Sequence, residues 1–269
     1  MARRTVKFVV SLVFWACSTL WSRALGLVGR AAKARSVVLY YHVVKQGERE
    51  RFAKQMDAVI NLALPVRSRD LPGAKGGTPY AAVVFDDAFH ETLQVVLPEL
   101  RRRNIPATVF VPTGCLGLEP PWIHDRASHH HGGRILAADD IRQLAAAEPL
   151  VGFGSHCVTH RPLTDMTDRE AREEIFESKA HLETILGCRV EELSFPHGAF
   201  EQKHVNWALE AGYRRIYSVQ PLLAIETPGE FVTGRFRVDP TDWPPEFRLK
   251  VLGAYRWLSM THTRGQKDA

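Results

Sequence analysis

The sequence predicts an α/β fold in which about seven parallel strands alternate with helices, as either a barrel or an open sheet. Short apolar runs recur from residue 36 onward, and each is continuous, as expected for strands buried on both faces. Stretches with apolar residues at helical spacing separate these runs. The predicted strands are Val37–Tyr41, Ala81–Phe85, Ala107–Val111, Leu150–Phe153, Glu192–Phe195, Arg215–Val219 and Arg235–Val238.

Helices are predicted in the intervals between these strands. The most clearly marked one begins after Thr167, because Glu170 three residues later completes a capping box, and it ends at the C-cap Gly187. Gly212 ends a shorter helix in the same way. The remaining predicted helices are Arg51–Leu64, Glu91–Asn104, Asp139–Ala147 and Lys203–Ala211.

Residues 1–34 differ from the rest of the chain. An apolar run over residues 8–21 follows Arg3, Arg4 and Lys7, but its 14 residues fall short of the roughly 20 that a spanning helix needs. A signal peptide would have the same basic start, although the A-x-A sequence at 32–34 is far from the apolar run. A buried helix is the third interpretation. We favour an uncleaved anchor and expect an inner-membrane protein whose barrel lies near the headgroups.

Residues 35–260 are interpreted as one domain, because no repeat or linker divides them, and residues 261–269 as a polar tail. The net charge of +5 is spread along the chain without interleaved aromatic residues, so no nucleic-acid partner is expected. A phosphate-bearing partner and a membrane surface suit this charge equally well. The four cysteines include no CxxC pair, which argues against a zinc knuckle. The tract His129–His131 lies in a long loop, and we assign it no catalytic role.

Polar residues follow four of the predicted strands at their carboxyl ends. Those ends share one face in a parallel barrel, and that face carries the active site. The residues are His42 after the first strand, Asp86 and Asp87 after the second, His156 and His160 after the fourth, and Pro196 and His197 after the fifth.

A metal site is predicted from the spacing of two histidines. His156 and His160 are four residues apart, so a helical turn or a tight loop would place both imidazoles on one side. Two imidazoles and one carboxylate leave an open coordination position, the pattern of a catalytic zinc site. Zn²⁺ is the expected metal, and cobalt, nickel or manganese could occupy the same ligands.

Three motifs together resemble those of the polysaccharide deacetylases, the NodB-like carbohydrate esterases, in order and in approximate separation. They are Phe85-Asp86-Asp87-Ala88-Phe89, His156-x-x-x-His160 and Phe195-Pro196-His197-Gly198. The resemblance covers most of residues 36–240 and implies a distorted (β/α)7 barrel. It implies that Asp87 joins the two histidines as a metal ligand. It further implies that Asp86 is the general base, and that a backbone N–H near His197 stabilises the oxyanion.

The general acid is expected to be His42. Tyr41-His42 resembles the arrangement in the branch that deacetylates poly-N-acetylglucosamine, in which the acid histidine comes from near the N-terminus. An imidazole can supply a proton to the departing nitrogen near neutral pH. His197 is the rival for this role, because it also follows a strand.

The chain departs from the family pattern at several positions. Ala88 replaces the glycine that usually follows the aspartate pair, and His197 replaces an aromatic residue. Ser194 is found where many members have an arginine that orients the base. Asp239-x-x-Asp242-Trp243 resembles the DxxDW stretch of the family, which would place Asp242 and Trp243 at the substrate; the alternative is a turn with a packed tryptophan.

The predicted function is metal-dependent hydrolysis of an N-acetyl or N-formyl group on an amino sugar, in a glycan or a lipid-linked saccharide. Two alternatives remain. One is an amidohydrolase acting on a small cyclic amide, which needs no membrane segment. The other is an inactive glycan-binding module, which would be expected to lose Asp86 or a metal ligand, whereas this chain keeps all four.

Overall fold

The computed structural model describes residues 2–27, 35–73, 77–124 and 133–262. Three features considered in the sequence lie outside these ranges: the A-x-A sequence at 32–34, the tract His129–His131, and residues 263–269 of the polar tail.

Nine parallel strands form one curled sheet, in the order β8-β7-β6-β5-β4-β3-β1-β9, with β2 paired to β3. In the described part of the chain β8 and β9 do not pair, so the barrel is open there. The predicted distorted barrel is confirmed, and all seven predicted strands are present. The strands are β1 (Ser36–Tyr41), β2 (Leu64–Pro65), β3 (Tyr80–Phe85), β4 (Ala107–Val111), β5 (Val151–Ser155), β6 (Glu192–Ser194), β7 (Arg215–Tyr217), β8 (Val232–Thr233) and β9 (Phe236–Arg237).

Helices cover the outer face of the sheet. The capping box is present as predicted: the Thr167 side chain accepts a hydrogen bond from the Glu170 N–H, and Gly187 ends the helix with φ 67°. The two helices closest to the C-terminus, Pro244–Val251 and Trp257–His262, were not predicted. The helices are α1 (Ala2–Leu27), α2 (Arg49–Leu62), α3 (His90–Arg103), α4 (Ala138–Ala147), α5 (Asp168–Leu186), α6 (Gln202–Glu210), α7 (Pro244–Val251) and α8 (Trp257–His262).

Alternate residues of each strand face opposite sides of the sheet. In β1, Val37 and Leu39 belong to the large apolar layer between sheet and helices, whereas Val38 and Tyr40 belong to a smaller cluster inside the barrel. The interior cluster also contains the aromatic rings of Phe110 and Tyr217. The even-numbered residues of β1 therefore point into the barrel.

The same parity holds in β3, where Ala82 and Val84 face the barrel interior. In β5 the inward positions Gly152 and Gly154 have no side chain. A Cβ at Gly154 would lie 2.5 Å from the Phe110 ring, so this glycine makes room for the ring on the neighbouring strand.

Helix α1 is attached to the barrel along one flank. Arg4 Nε donates to Glu246 Oε2 of α7 at 2.8 Å, and Trp257 Nε1 donates to Ser11 Oγ at 2.8 Å. Ser11 is fully buried by this contact.

The opposite flank of α1 is exposed and apolar. Leu20 is 66% exposed and Trp21 68%. The helix is therefore not buried in the core, contrary to the third interpretation of this segment. By length and composition alone, Ala2–Ala24 is long and apolar enough to cross a membrane.

Candidate active site

The alternation of side chains along each strand continues into the first residues after the strand. Residues at inward positions there are expected to point into the pocket. His42 follows Val38 and Tyr40 in β1, and Asp86 follows Ala82 and Val84 in β3. Both side chains line a pocket of about 600 Å³ at the carboxyl end of the barrel. The pocket also contains Asp87, His156, His160 and His197.

Asp87, His156 and His160 are buried and turned toward one another. One potential ligand atom from each lies within 4.8 Å of the other two. Asp87 Oδ1 is 3.0 Å from His160 Nε2 and 3.6 Å from His156 Nε2. Apart from these imidazoles, Asp87 Oδ1 has no hydrogen-bond donor among the described residues. Such a buried oxygen facing two ring nitrogens fits a divalent cation.

The ionisation of these groups favours metal binding. Burial lowers the pKa of His156 to about 4, so the ring is neutral at neutral pH. Its Nδ1 lies 2.7 Å from the carbonyl oxygen of Ser194, so Nδ1 carries the proton and Nε2 is free for a metal. Burial alone would raise the pKa of Asp87, but His160 and the other nearby histidines outweigh it and lower that pKa far below its usual range.

The two histidines are carried by a loop and not by a helix. Cys157 and His160 both have φ 61°, which interrupts any helical turn between them. Glu174 of α5 holds this loop: its carboxylate accepts the backbone N–H of Val158 at 2.7 Å and that of Thr159 at 2.9 Å. The loop is thereby fixed from outside the pocket.

Left-handed backbone is concentrated at this site. Such φ values cost a non-glycine residue about 1–3 kcal/mol each and persist only where the surroundings enforce them. Ala88 has φ 54° at the position where the family usually has glycine. The site residues with positive φ are Asp87, Ala88, Cys157, His160 and His197.

Asp86 is held by an arginine that the sequence did not reveal. Arg235 is fully buried and donates to both carboxylate oxygens, at 2.8 and 3.0 Å, and to Ser194 Oγ at 2.9 Å. Its guanidinium lies 4.4 Å from the Tyr40 ring centroid. Burial tends to raise the pKa of Asp86, but Arg235, His156 and His42 together lower it below its usual value.

The arginine that many family members have at position 194 is therefore supplied from elsewhere in this chain. Arg235, in the loop before β9, orients Asp86, and Ser194 accepts a hydrogen bond from its guanidinium. A Cβ at the preceding Gly234 would lie 2.7 Å from the Gln220 carbonyl oxygen, so glycine is needed for this close approach.

His42 and His197 both line the pocket that contains the predicted metal ligands. His42 is half-buried and makes no hydrogen bond to a described residue. The His197 ring centroid lies 4.7 Å from that of His160, and burial and His160 lower the pKa of His197. Pro196 and His197 form a tight turn after β6, in which His197 has φ 57°. The backbone N–H of His197 has no acceptor within the described ranges.

Trp122 is a second residue that sequence reasoning missed. Its indole is stacked on the His160 imidazole, with ring centroids 3.8 Å apart and planes 22° apart, and it lines the pocket. The long loop after β4 was singled out in the sequence, but nothing in its pattern indicated which of its residues reaches the pocket.

Asp242 and Trp243 are not brought into the catalytic pocket. Asp242 Oδ2 accepts from Lys250 Nζ at 2.6 Å, and the Trp243 ring meets the Phe8 ring of α1 at 5.9 Å. Both residues line neighbouring cavities instead. The turn with a packed tryptophan describes their surroundings better than a substrate contact does.

The chain is similar in sequence to proteins of one known family. A family model described as "Polysaccharide deacetylase" matches residues 73–216. The protein YxkH of Bacillus subtilis (strain 168), whose name places it among the polysaccharide deacetylases, is 22% identical over 158 residues, or 59% of this chain. This chain spans about half, 51%, of the length of that relative.

Solved structures share the fold at low sequence identity. The deacetylase PplD of Streptococcus pyogenes, in complex with acetate, aligns with TM-score 0.64 and 18% identity over 82% of this chain and 99% of that one. IcaB from Ammonifex degensii aligns with TM-score 0.66 and 20% identity over 82% and 97%. A de-N-acetylase from Aggregatibacter actinomycetemcomitans aligns with TM-score 0.63 and 16% identity over 80% and 99%.

Proposed function

This chain belongs to the polysaccharide deacetylase family, and from that membership and the geometry of the site we propose that it removes an N-acyl group from an amino sugar by metal-dependent hydrolysis. The observation that carries the proposal is the buried cluster of Asp87, His156 and His160 beside an aspartate fixed by an arginine.

The proposed metal ligands are Asp87, His156 and His160. Two imidazoles and one carboxylate suit Zn²⁺, and cobalt, nickel or manganese accept the same donors. When bound, such a cation polarises the acyl carbonyl and lowers the pKa of the attacking water.

Asp86 is the proposed general base. Its low pKa keeps it ionised at neutral pH, and Arg235 fixes the orientation of both its oxygens. Each oxygen keeps a second lone pair, so the carboxylate can accept the proton of the attacking water. The backbone N–H of His197, which has no acceptor within the described ranges, is the proposed donor to the oxygen of the acyl group as negative charge develops on it.

His42 is the proposed general acid, because an amine leaves only when its nitrogen is protonated. The imidazole of His42 lines the pocket beside the Tyr40 ring and has no hydrogen-bond partner within the described ranges, so it is free to donate to substrate. His197 is less suited, since burial and the neighbouring His160 lower its pKa and disfavour its protonated form.

The proposed substrate is an N-acetyl or N-formyl amino sugar, in a glycan or a lipid-linked saccharide. The exposed apolar flank of α1 supports a position at the surface of the inner membrane. The retained Asp86 and the three retained candidate metal ligands argue against an inactive binding module.

The test is release of acetate or formate from a panel of N-acyl sugars and one cyclic ureide, with and without chelator. We expect chelation to abolish hydrolysis and divalent metal to restore it. Asp87→Asn should lose metal, whereas Asp86→Asn should keep metal and lose turnover. Hydrolysis by a metal-free preparation, or of the ureide alone, would contradict the proposal.

The acid is tested by comparing two histidine variants. His42→Ala should keep metal and lower turnover by about 10²–10⁴-fold, the usual contribution of one general acid. A near-normal His42→Ala enzyme together with an inactive His197→Ala enzyme would assign the acid to His197.

A further inference from the structure

A second cavity of about 680 Å³ lies beside the catalytic pocket, and helix α1 forms one of its walls. Val219 and Arg237 line both cavities, so the two adjoin at strand β9. We call this second cavity the basic groove. Its charged lining consists of Arg3, Arg4, Lys7, Arg235, Arg237 and Lys250 against Asp239, Asp242 and Glu246.

The basic groove has positive charge that ion pairs do not neutralise. Arg4, Lys250 and Arg235 are each paired with a carboxylate. Arg3, Lys7 and Arg237 are exposed, and none forms an ion pair with an acidic residue in the described ranges. Three cations are therefore available at the rim to a negatively charged ligand.

Arg4 determines where two of these cations lie. Its guanidinium donates to Glu246 Oε2 at 2.8 Å and to the Thr241 carbonyl at 2.7 Å, and it lies 4.7 Å from the Trp243 ring centroid. Arg3 and Lys7 belong to the same first two turns of α1. They are thus held at the rim of the groove by a docked helix and not by a free tail.

The opposite flank of α1 presents apolar side chains along its length. Val6 is 60% exposed and Val13 57%, and the apolar residues continue to Trp21. A helix with an exposed apolar flank and basic residues toward both ends, Arg3, Arg4 and Lys7 at one and Arg23 at the other, suits the boundary between acyl chains and headgroups. The basic groove would then lie at the depth of lipid phosphates.

We propose that the basic groove binds the phosphate of a glycosyl phosphate carried on a lipid, while the N-acyl amino sugar of that molecule occupies the catalytic pocket. This rests on the proposed N-deacylase function. In such a molecule one sugar ring separates phosphate from acyl group, and the two cavities share the wall formed by Val219 and Arg237. Guanidinium and ammonium groups bind phosphate through charge-assisted hydrogen bonds.

The test uses the full-length protein in uncharged detergent and three substrates of the same sugar. They are N-acetylglucosaminyl phosphate linked to farnesol, N-acetylglucosamine 1-phosphate, and a phosphate-free N-acetylglucosamine pentamer, each also prepared with formyl groups. The double variant Arg3→Gln/Lys7→Gln removes two rim charges. The double variant Arg142→Gln/Arg169→Gln removes two exposed charges from α4 and α5 and is the matched control.

The wild type is expected to prefer both phosphates over the pentamer in kcat/KM, and the farnesyl compound over the free sugar phosphate. The rim variant should reduce the preference for phosphate about 10- to 100-fold, mainly through KM, and the control should leave it unchanged. Equal use of all three substrates, or a rim variant with an unchanged preference, would overturn the proposal while the deacylase function stood. No hydrolysis of any substrate would count against the deacylase function itself.

A phospholipid headgroup offers the same phosphate chemistry, so the assay is repeated on phosphatidylglycerol vesicles. If the rim variant differs from wild type only on vesicles and not in detergent, the cations bind the membrane and not the substrate. That result would overturn the assignment of the groove to the substrate phosphate.

Discussion

Replacing Arg235 with glutamine is expected to move the acidic limb of the pH–rate profile upward and to lower kcat. Arg235 supplies both hydrogen bonds that fix the Asp86 carboxylate, and it is fully buried. An adjacent arginine depresses an aspartate pKa by about 1–3 units, so the limb should move by a similar amount. Loss of orientation should reduce kcat by about 10²-fold.

The same substitution leaves the buried Asp86 without its cation. Removing one partner of a buried pair costs about 3–5 kcal/mol of stability, or a Tm decrease of roughly 6–20 °C for a domain of this size. In the wild type the lowered pKa of Asp86 stabilises the fold above its unfolded pKa, and this is lost as the pH falls through the folded pKa. In the variant, burial raises the folded pKa, so the deficit in stability should shrink as the pH is lowered from neutral.

The assay measures kcat and KM against pH, together with Tm and metal content. Metal should be retained, because none of the hydrogen bonds of Arg235 goes to a proposed ligand. Arg235→Lys keeps the charge and should recover part of the acidic limb. Ser194→Ala removes a single 2.9 Å hydrogen bond to the guanidinium and should cost less than 10-fold. A folded, metal-loaded Arg235→Gln enzyme with the wild-type limb and kcat would refute the positioning role.

Three further predictions follow. Trp122→Ala should weaken metal binding and raise KM, because His160 loses its stacking partner, while Trp122→Phe should preserve most of both; equal effects of the two variants in a metal titration would argue against stacking. Glu174→Gln should lower Tm by several degrees and reduce metal affinity, since a charged acceptor of two backbone N–H groups is lost, and calorimetry with and without metal measures both. Removal of residues 2–27 should abolish binding to anionic vesicles in a flotation assay, and a truncated chain that still floats would place the membrane contact elsewhere.

β1, β3 and β4 could be predicted because each is a continuous run of mostly apolar residues, which reflects burial on both faces of the sheet. β2 and β8, with two residues each, were not predicted. The position of Asp86 followed from the strand that precedes it, because strand parity fixes the direction of the next side chain.

The partners of these residues were not predictable. Arg235 reaches Asp86 across 149 positions of sequence, and its only local signal is a glycine before it. The histidine pair was expected on a helical turn or a tight loop, and the fixing contact of that loop comes from Glu174 on a different element. Asp242 and Trp243 matched a motif by letters, but α1 packs against them and gives them other contacts.

The alternation of inward and outward side chains in β1 and β3 limits where this chain can tolerate insertions and deletions. His42 and Asp86 face the pocket only because an even number of steps separates them from Val38 and Val84. Deletion of one residue inside either strand would turn the side chain of the proposed acid or base toward the helix layer while leaving the apolar composition almost unchanged. Loops at the pocket rim carry no such constraint, because their length changes no strand register. Variation in length among homologous chains should therefore be confined to those loops, and a deletion scan with a metal-binding readout would separate the two classes of position.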